Sequence, residues 1–80
     1  MKHKYVNFEG YGFVIWPMSD TVIHSDIARM VGKHPVSAGF VNFGREGAKC
    51  YGESVSLRLM SRKTDTDDLN DQLALSLLID

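Results

Sequence analysis

The sequence predicts a single α+β domain over residues 1–80: a four-stranded antiparallel sheet with two helices on one face, in the order ββαββα. Three observations carry this reading. Runs of β-branched and aromatic residues stop at glycine turns or at proline. Two segments show helical spacing of apolar residues after a Ser or Thr. The two halves of the chain also resemble each other, as a doubled ββα unit would.

Lys4 to Phe8 reads as the first strand, and Glu9-Gly10 as the turn after it. Tyr11 to Trp16 reads as the second, with Tyr11, Phe13 and Ile15 on one face and Val14 and Trp16 on the other. Apolar residues on both faces suit a central strand, or one whose second face is covered by a partner. Pro17 lacks a backbone N–H and ends the run. His24 or Ser25 is placed to cap a helix starting at Asp26, with Ile27, Met30 and Val31 on one face. Gly32 and then Pro35 stop it.

Val36 to Phe43 reads as the third strand, and Gly44 to Gly47 as a turn. The fourth is expected from Cys50 to Met60, with Val55, Leu57 and Leu59 inward and Ser54, Ser56 and Arg58 outward. Gly39, beside Ser37 and Ala38, marks a close approach by another group, the first helix or Trp16. Thr64 or Thr66 caps the last helix, whose first turn holds Asp65, Asp67 and Asp68. The doubling rests on ordered matches. Tyr5-Val6-Asn7-Phe8 resembles Phe40-Val41-Asn42-Phe43, Tyr11-Gly12 resembles Tyr51-Gly52, Met18-Ser19 resembles Met60-Ser61, and Ser25-Asp26-Ile27 resembles Asp67-Asp68-Leu69.

Composition narrows the function classes. An apolar fraction of 44% is that of a chain that folds. Nine basic against ten acidic residues give no overall attraction to polyanions or anionic lipid. Cys50 is the single cysteine and forms no internal disulfide. The basic start has no apolar run behind it, and Phe13 to Trp16 is too short for a signal peptide or a membrane span. Cytoplasmic residence without membrane association is therefore expected.

His3, His24, His34 and Cys50 match no zinc-ligand spacing, so no metal or cofactor is expected. Tyr51-Gly52-Glu53-Ser54 lacks the flanking glycines of a nucleophile elbow. An enzyme would need Glu53, His24 or His34, and Cys50 in one cleft, and nothing in the spacing brings them together. The expectation is a non-enzymatic protein.

Two surfaces stand out. The last helix carries Leu69, Leu73 and Leu77 as one stripe, with Leu75, Leu78 and Ile79 off it. That surplus marks Leu75, Leu78 and Ile79 as a candidate interface, most economically of a homodimer, with a host protein as a further partner. The alternative is a nucleic-acid or nucleotide surface on the sheet, using Tyr5, Tyr11, Arg58, Arg62 and Lys63. The aspartates that follow Lys63 oppose a polyanion and weaken that alternative.

The stretch from His24 to Val41, with Pro-Val-Ser-Ala-Gly-Phe-Val at 35 to 41, and the strand Cys-Tyr-Gly-Glu-Ser-Val-Ser-Leu at 50 to 57 resemble short uncharacterised proteins of proteobacterial phages and prophages. The likeness spans residues 11 to 73. It implies a phage accessory protein that acts by binding, and it brings no catalytic residues with it.

Overall fold

The computed structural model describes residues 2–79, with side chains described as far as residue 75. The chain forms β1 (Lys2–Phe8), β2 (Gly12–Pro17), α1 (His24–Val31), β3 (Pro35–Gly44), β4 (Gly47–Tyr51), β5 (Glu53–Ser54), β6 (Leu59–Met60) and α2 (Asp65–Ile79). The first four strands make one antiparallel sheet in the order β2-β1-β3-β4, and β5 and β6 pair separately. The predicted α+β class and four-stranded sheet are observed.

The expected fourth strand is not continuous. Gly52 has φ +78°, a left-handed conformation open to glycine, and it ends β4 after Tyr51. The chain bends there, makes β5, turns through residues 55–58 and returns as β6. Arg58 holds the left-handed φ of +54°, unusual for a residue with a side chain. Val55, expected inside, is the most exposed large apolar residue of those described, at 84%. The bend also explains Gly39: a Cβ there would lie 2.4 Å from the Tyr51 carbonyl oxygen. That backbone is what forbids a side chain at Gly39, while the first helix and Trp16 pack over the same small stretch, His24 reaching the Gly39 carbonyl and Trp16 flanking the cluster that holds Ala38.

Side chains alternate along a strand, so Tyr5 and Val6 point to opposite faces. Tyr5 packs with Phe13, Val41, Ala48 and Leu69, flanked by Ile15, Phe43, Cys50 and Leu73. Val6 packs with Phe8 and Ala38, flanked by Val14, Trp16, Ile27, Ala28, Val31, Leu57 and Leu59. The first cluster belongs to α2, the second to α1 and the β5–β6 hairpin. The helices therefore lie on opposite faces, correcting the arrangement expected from sequence. Leu73 meets the cluster around Tyr5, whereas Leu57 and Leu59 serve the other face.

This arrangement also bears on the doubled unit. A two-fold rotation exchanging β1 and β3 within the sheet would put both helices on one face. The short matches between the halves thus mark similar composition without rotational symmetry.

Helix α1 starts at His24, two residues earlier than expected, with Ile23 at the N-cap. Asp26 turns back and accepts the Ile23 N–H at 3.0 Å, while His24 points inward instead of capping. Ala28 joins Ile27 and Val31 on the packed face, and Met30 is exposed. Gly32, at φ +71°, ends the helix and donates its N–H to Ala28, as predicted.

Helix α2 binds both edges of the sheet. Asn70 accepts the Ala48 N–H and donates to the Ala48 carbonyl, both at 2.9 Å. Thr66, one turn earlier, accepts the Cys50 N–H at 2.9 Å instead of capping its own helix. On the opposite edge, Gln72 accepts the Phe13 N–H at 2.8 Å and donates to the Phe13 carbonyl at 3.2 Å. These side chains supply the edge strands β4 and β2 with the partners another strand would give. Gly47 and Gly12 make room for the amides, because a Cβ at either would strike Asn70 or Gln72.

Candidate functional site

The most specific polar cluster lies beneath the start of α2. Asp65 is fully buried and accepts from the Tyr5 hydroxyl at 2.5 Å, the Arg62 N–H at 2.9 Å and Arg62 Nε at 3.3 Å. Burial pushes its pKa upward, but hydrogen bonds from Tyr5 and from the Arg62 backbone outweigh that, leaving it below the ordinary carboxylate value. The Ser37 hydroxyl is buried and near enough to favour the carboxylate, though no partner sits within hydrogen-bond geometry. Burial and the Asp65 charge push Tyr5 far above its ordinary pKa, so it stays a neutral donor.

That cluster settles where the proposed sheet-face residues lie. Tyr5 is fully buried, and both sheet faces carry a helix, so Tyr5 is not available to stack on a base. Tyr11 and Arg62 both line one open groove at an end of the sheet. Arg58 lines a separate hollow in the β5–β6 turn, and Lys63 is exposed outside both. Of the candidate interface residues, Leu75 is 59% exposed, while the Leu78 and Ile79 side chains lie outside the described residues.

The four groups considered for chemistry do not share one cleft. Cys50 packs on the α2 face, where burial and then the Asp65 charge raise its thiol to about 11. His34 lines the groove with Tyr11 and Arg62. His24 and Glu53 line a third hollow on the α1 face. His24 is buried between the rings of Trp16 and Phe40, and its Nε2 lies 2.8 Å from the Gly39 carbonyl. A carbonyl only accepts, so Nε2 carries the proton. Burial, with the Lys4 charge nearby, lowers the His24 pKa despite that hydrogen bond. Among the described residues no group of three or more His, Cys, Asp or Glu is placed to hold a metal.

No protein-family model, curated protein or solved structure matches this chain. No helix among the described residues is long and apolar enough to cross a membrane.

Sequence reasoning missed the hollow around Lys4. Lys4 is buried on the α1 face, and its ammonium donates to the Ser19 carbonyl at 2.7 Å and the Val22 carbonyl at 3.3 Å. Trp16 Nε1 donates to the same Val22 carbonyl, so two β-strand residues anchor the loop before α1. The ion pairs among the described residues are Arg29–Asp26 and Arg62–Asp65, and Lys4 takes part in neither. Lys4 lines a hollow of about 340 Å³ with Ile23, His24, Phe40, Glu53, Val55 and Ser56. Glu53 and Val55 also line the adjoining hollow, which includes exposed Met60. The two adjoin as one mainly apolar surface whose charged groups are Lys4, Glu53 and Arg58.

Proposed function

We propose that this protein works by binding another protein, without catalysis of its own, as a phage-type accessory protein would. The docking face is the one made by the start of α1 and the β5–β6 hairpin. The observation that carries this is Lys4: a buried lysine that makes no ion pair among the described residues, in a hollow lined by exposed Ile23 and Val55, with Glu53 at its edge too far to pair with it. Burying a cation without a counter-ion costs several kcal/mol, which its two carbonyl contacts reduce. A partner carboxylate would offset the remainder, and apolar neighbours on the partner would cover Val55 and Ile23. The occupant is thus a protein segment carrying Asp or Glu between apolar side chains. The turn suits display, because Ser54 accepts the Leu57 N–H and Ser56 accepts the Ser25 N–H, tying the hairpin to α1.

A random short-peptide display library, selected on the folded protein, tests this. Selected peptides should carry an acidic residue flanked by apolar ones. Replacing that residue by its amide should weaken binding about tenfold or more, the equivalent of about 1.4 kcal/mol. Val55→Glu, at an exposed position, should abolish binding while the melting temperature holds. Peptides without acidic residues, or unchanged binding to Val55→Glu, would overturn the proposal.

Homodimerisation through the end of α2 accompanies this reading, supported by exposed Leu75 and the apolar residues that follow it in sequence. Sedimentation velocity of the parent and of Leu75→Asp decides it: a monomeric parent removes the dimer.

A further inference from the structure

A second site lies on the other side of the sheet, independent of the docking face. The groove there has a volume of about 560 Å³, within the range of pockets that hold small ligands. Its walls are the β1–β2 turn, the segment before β3 and the start of α2. The Glu9 N–H donates to the His34 carbonyl at 2.9 Å, joining two of these walls.

Four groups in the groove remain open to a ligand. Asn7 is 6% exposed, and its side-chain amide makes no hydrogen bond among the described residues. It sits on the α2 face, opposite Phe13 in the ladder, and its polar atoms keep their contact with solvent through the groove. Water satisfies such an amide, and a ligand that supplies a matching donor and acceptor can take that water's place. Arg62 spends Nε on Asp65, which orients it and leaves the two terminal nitrogens of its guanidinium without a partner among the described residues. The Tyr11 ring is 59% exposed and held edge-on by Phe8 at 6.2 Å. His34 is exposed, and its imidazole makes no hydrogen bond among the described residues.

We propose that this groove binds a nucleotide carrying a single phosphate. The free guanidinium fork of Arg62 matches a phosphate in bidentate geometry. Tyr11 gives an aromatic face for a base to stack on. The Asn7 amide offers a donor and an acceptor side by side, the complement of a base edge. The carboxylates of Glu9 and Asp68 also line the groove and limit how much negative charge it accepts. They suit sugar hydroxyls and exclude a polyphosphate, for which one guanidinium is too little compensation. The same carboxylates disfavour a nucleic-acid strand.

Titrations followed by nitrogen–proton NMR test this with AMP, cyclic AMP, ATP, adenosine, inorganic phosphate and a single-stranded oligonucleotide. AMP or cyclic AMP should shift the Asn7 side-chain amide and the Arg62 Nε–H resonances in a saturable way. Adenosine and phosphate alone should each bind about tenfold or more weakly. Tyr11→Ala, at an exposed position, should lose about tenfold in affinity with an unchanged melting temperature, as stacking aromatics do. No shift at Asn7 with any nucleotide at millimolar concentration overturns the proposal. So does unchanged affinity in Tyr11→Ala, ATP binding more tightly than AMP, or shifts confined to the Lys4 hollow. Tighter binding of the oligonucleotide than of either mononucleotide would replace the site's ligand with a strand.

Discussion

Replacing Asp65 with Asn keeps the side chain's size and removes its charge. In the parent, one carboxylate oxygen accepts from both the Tyr5 hydroxyl and the Arg62 N–H, and the other accepts from Arg62 Nε. An Asn oxygen can keep the first two bonds, but its NH₂ group then faces the donor Nε. A hydrogen bond to a charged group contributes about 1.5–3 kcal/mol and a neutral one about 0.5–1.5 kcal/mol. Arg62 is half exposed, so its Nε bond counts for little and the two buried bonds dominate. The expected loss is about 2–3 kcal/mol, from a domain whose core supplies roughly 3–5 kcal/mol. Urea unfolding at neutral pH, followed by Trp16 fluorescence, measures it.

The pH dependence gives a second, sharper reading. The folded Asp65 pKa is depressed, so its contribution is complete above the unfolded value, about 3.9, and is lost as pH falls through the folded value. His24 is also depressed, and its contribution begins to fade below about 6.5 in parent and variant alike. The two stability curves should run parallel from neutral pH down to about 4 and then converge. Equal stability of parent and Asp65→Asn at neutral pH, or curves that stay parallel into strong acid, would refute this account of the cluster.

Three further outcomes follow from the packing. Leu69→Ala should cost about 2–5 kcal/mol, and Leu73→Ala clearly less, because Leu69 is fully buried and Leu73 is half-buried; thermal melts of the two rank them. Gly47→Ala should cost about 1–3 kcal/mol, since it strains a φ of +103° and displaces the Asn70 amide. In an Asn70→Ala background part of that cost should disappear, which a double-mutant cycle measures. Cys50, with its thiol at about 11, should resist iodoacetamide at mildly alkaline pH in the folded protein and react readily in urea; mass spectrometry of the adduct follows both.

Much of the fold was legible in the chain, and what was misread had visible signals. Strand positions follow from runs such as Tyr5–Phe8 and Phe13–Trp16, and Gly32 marks the end of α1. Those same runs are apolar on both faces, the signature of a sheet covered on both sides. β2 is an edge strand with two covered faces, so the pattern reported the helices' placement and not a central position. The alternation from Ser54 to Leu59 resembled a strand, but the backbone at Gly52 and Arg58 turns it into a hairpin. For the sites, Tyr11 and Arg62 were singled out and line one groove. The roles of Lys4 and Asn7 were missed, although Asn7 is a polar residue inside the apolar run Tyr5–Phe8, a signal in itself, and Lys4 directly precedes that run. Which of these polar groups found partners depends on residues far along the chain, as with Tyr5 and Asp65, sixty positions apart.

The side chains by which α2 meets both sheet edges have a consequence for how the chain is made. Synthesis runs from the N-terminus, so all four strands leave the ribosome before Thr66, Asn70 and Gln72. During that interval β2 and β4 have open edges, and a neighbouring nascent chain offers the same hydrogen bonds the helix will later make. Release of the last turns then works as a latch, closing both edges in one event. A chain cut short before Asp65 would present a sheet competent to pair with its neighbours, and one that continues through Leu75 a sealed one.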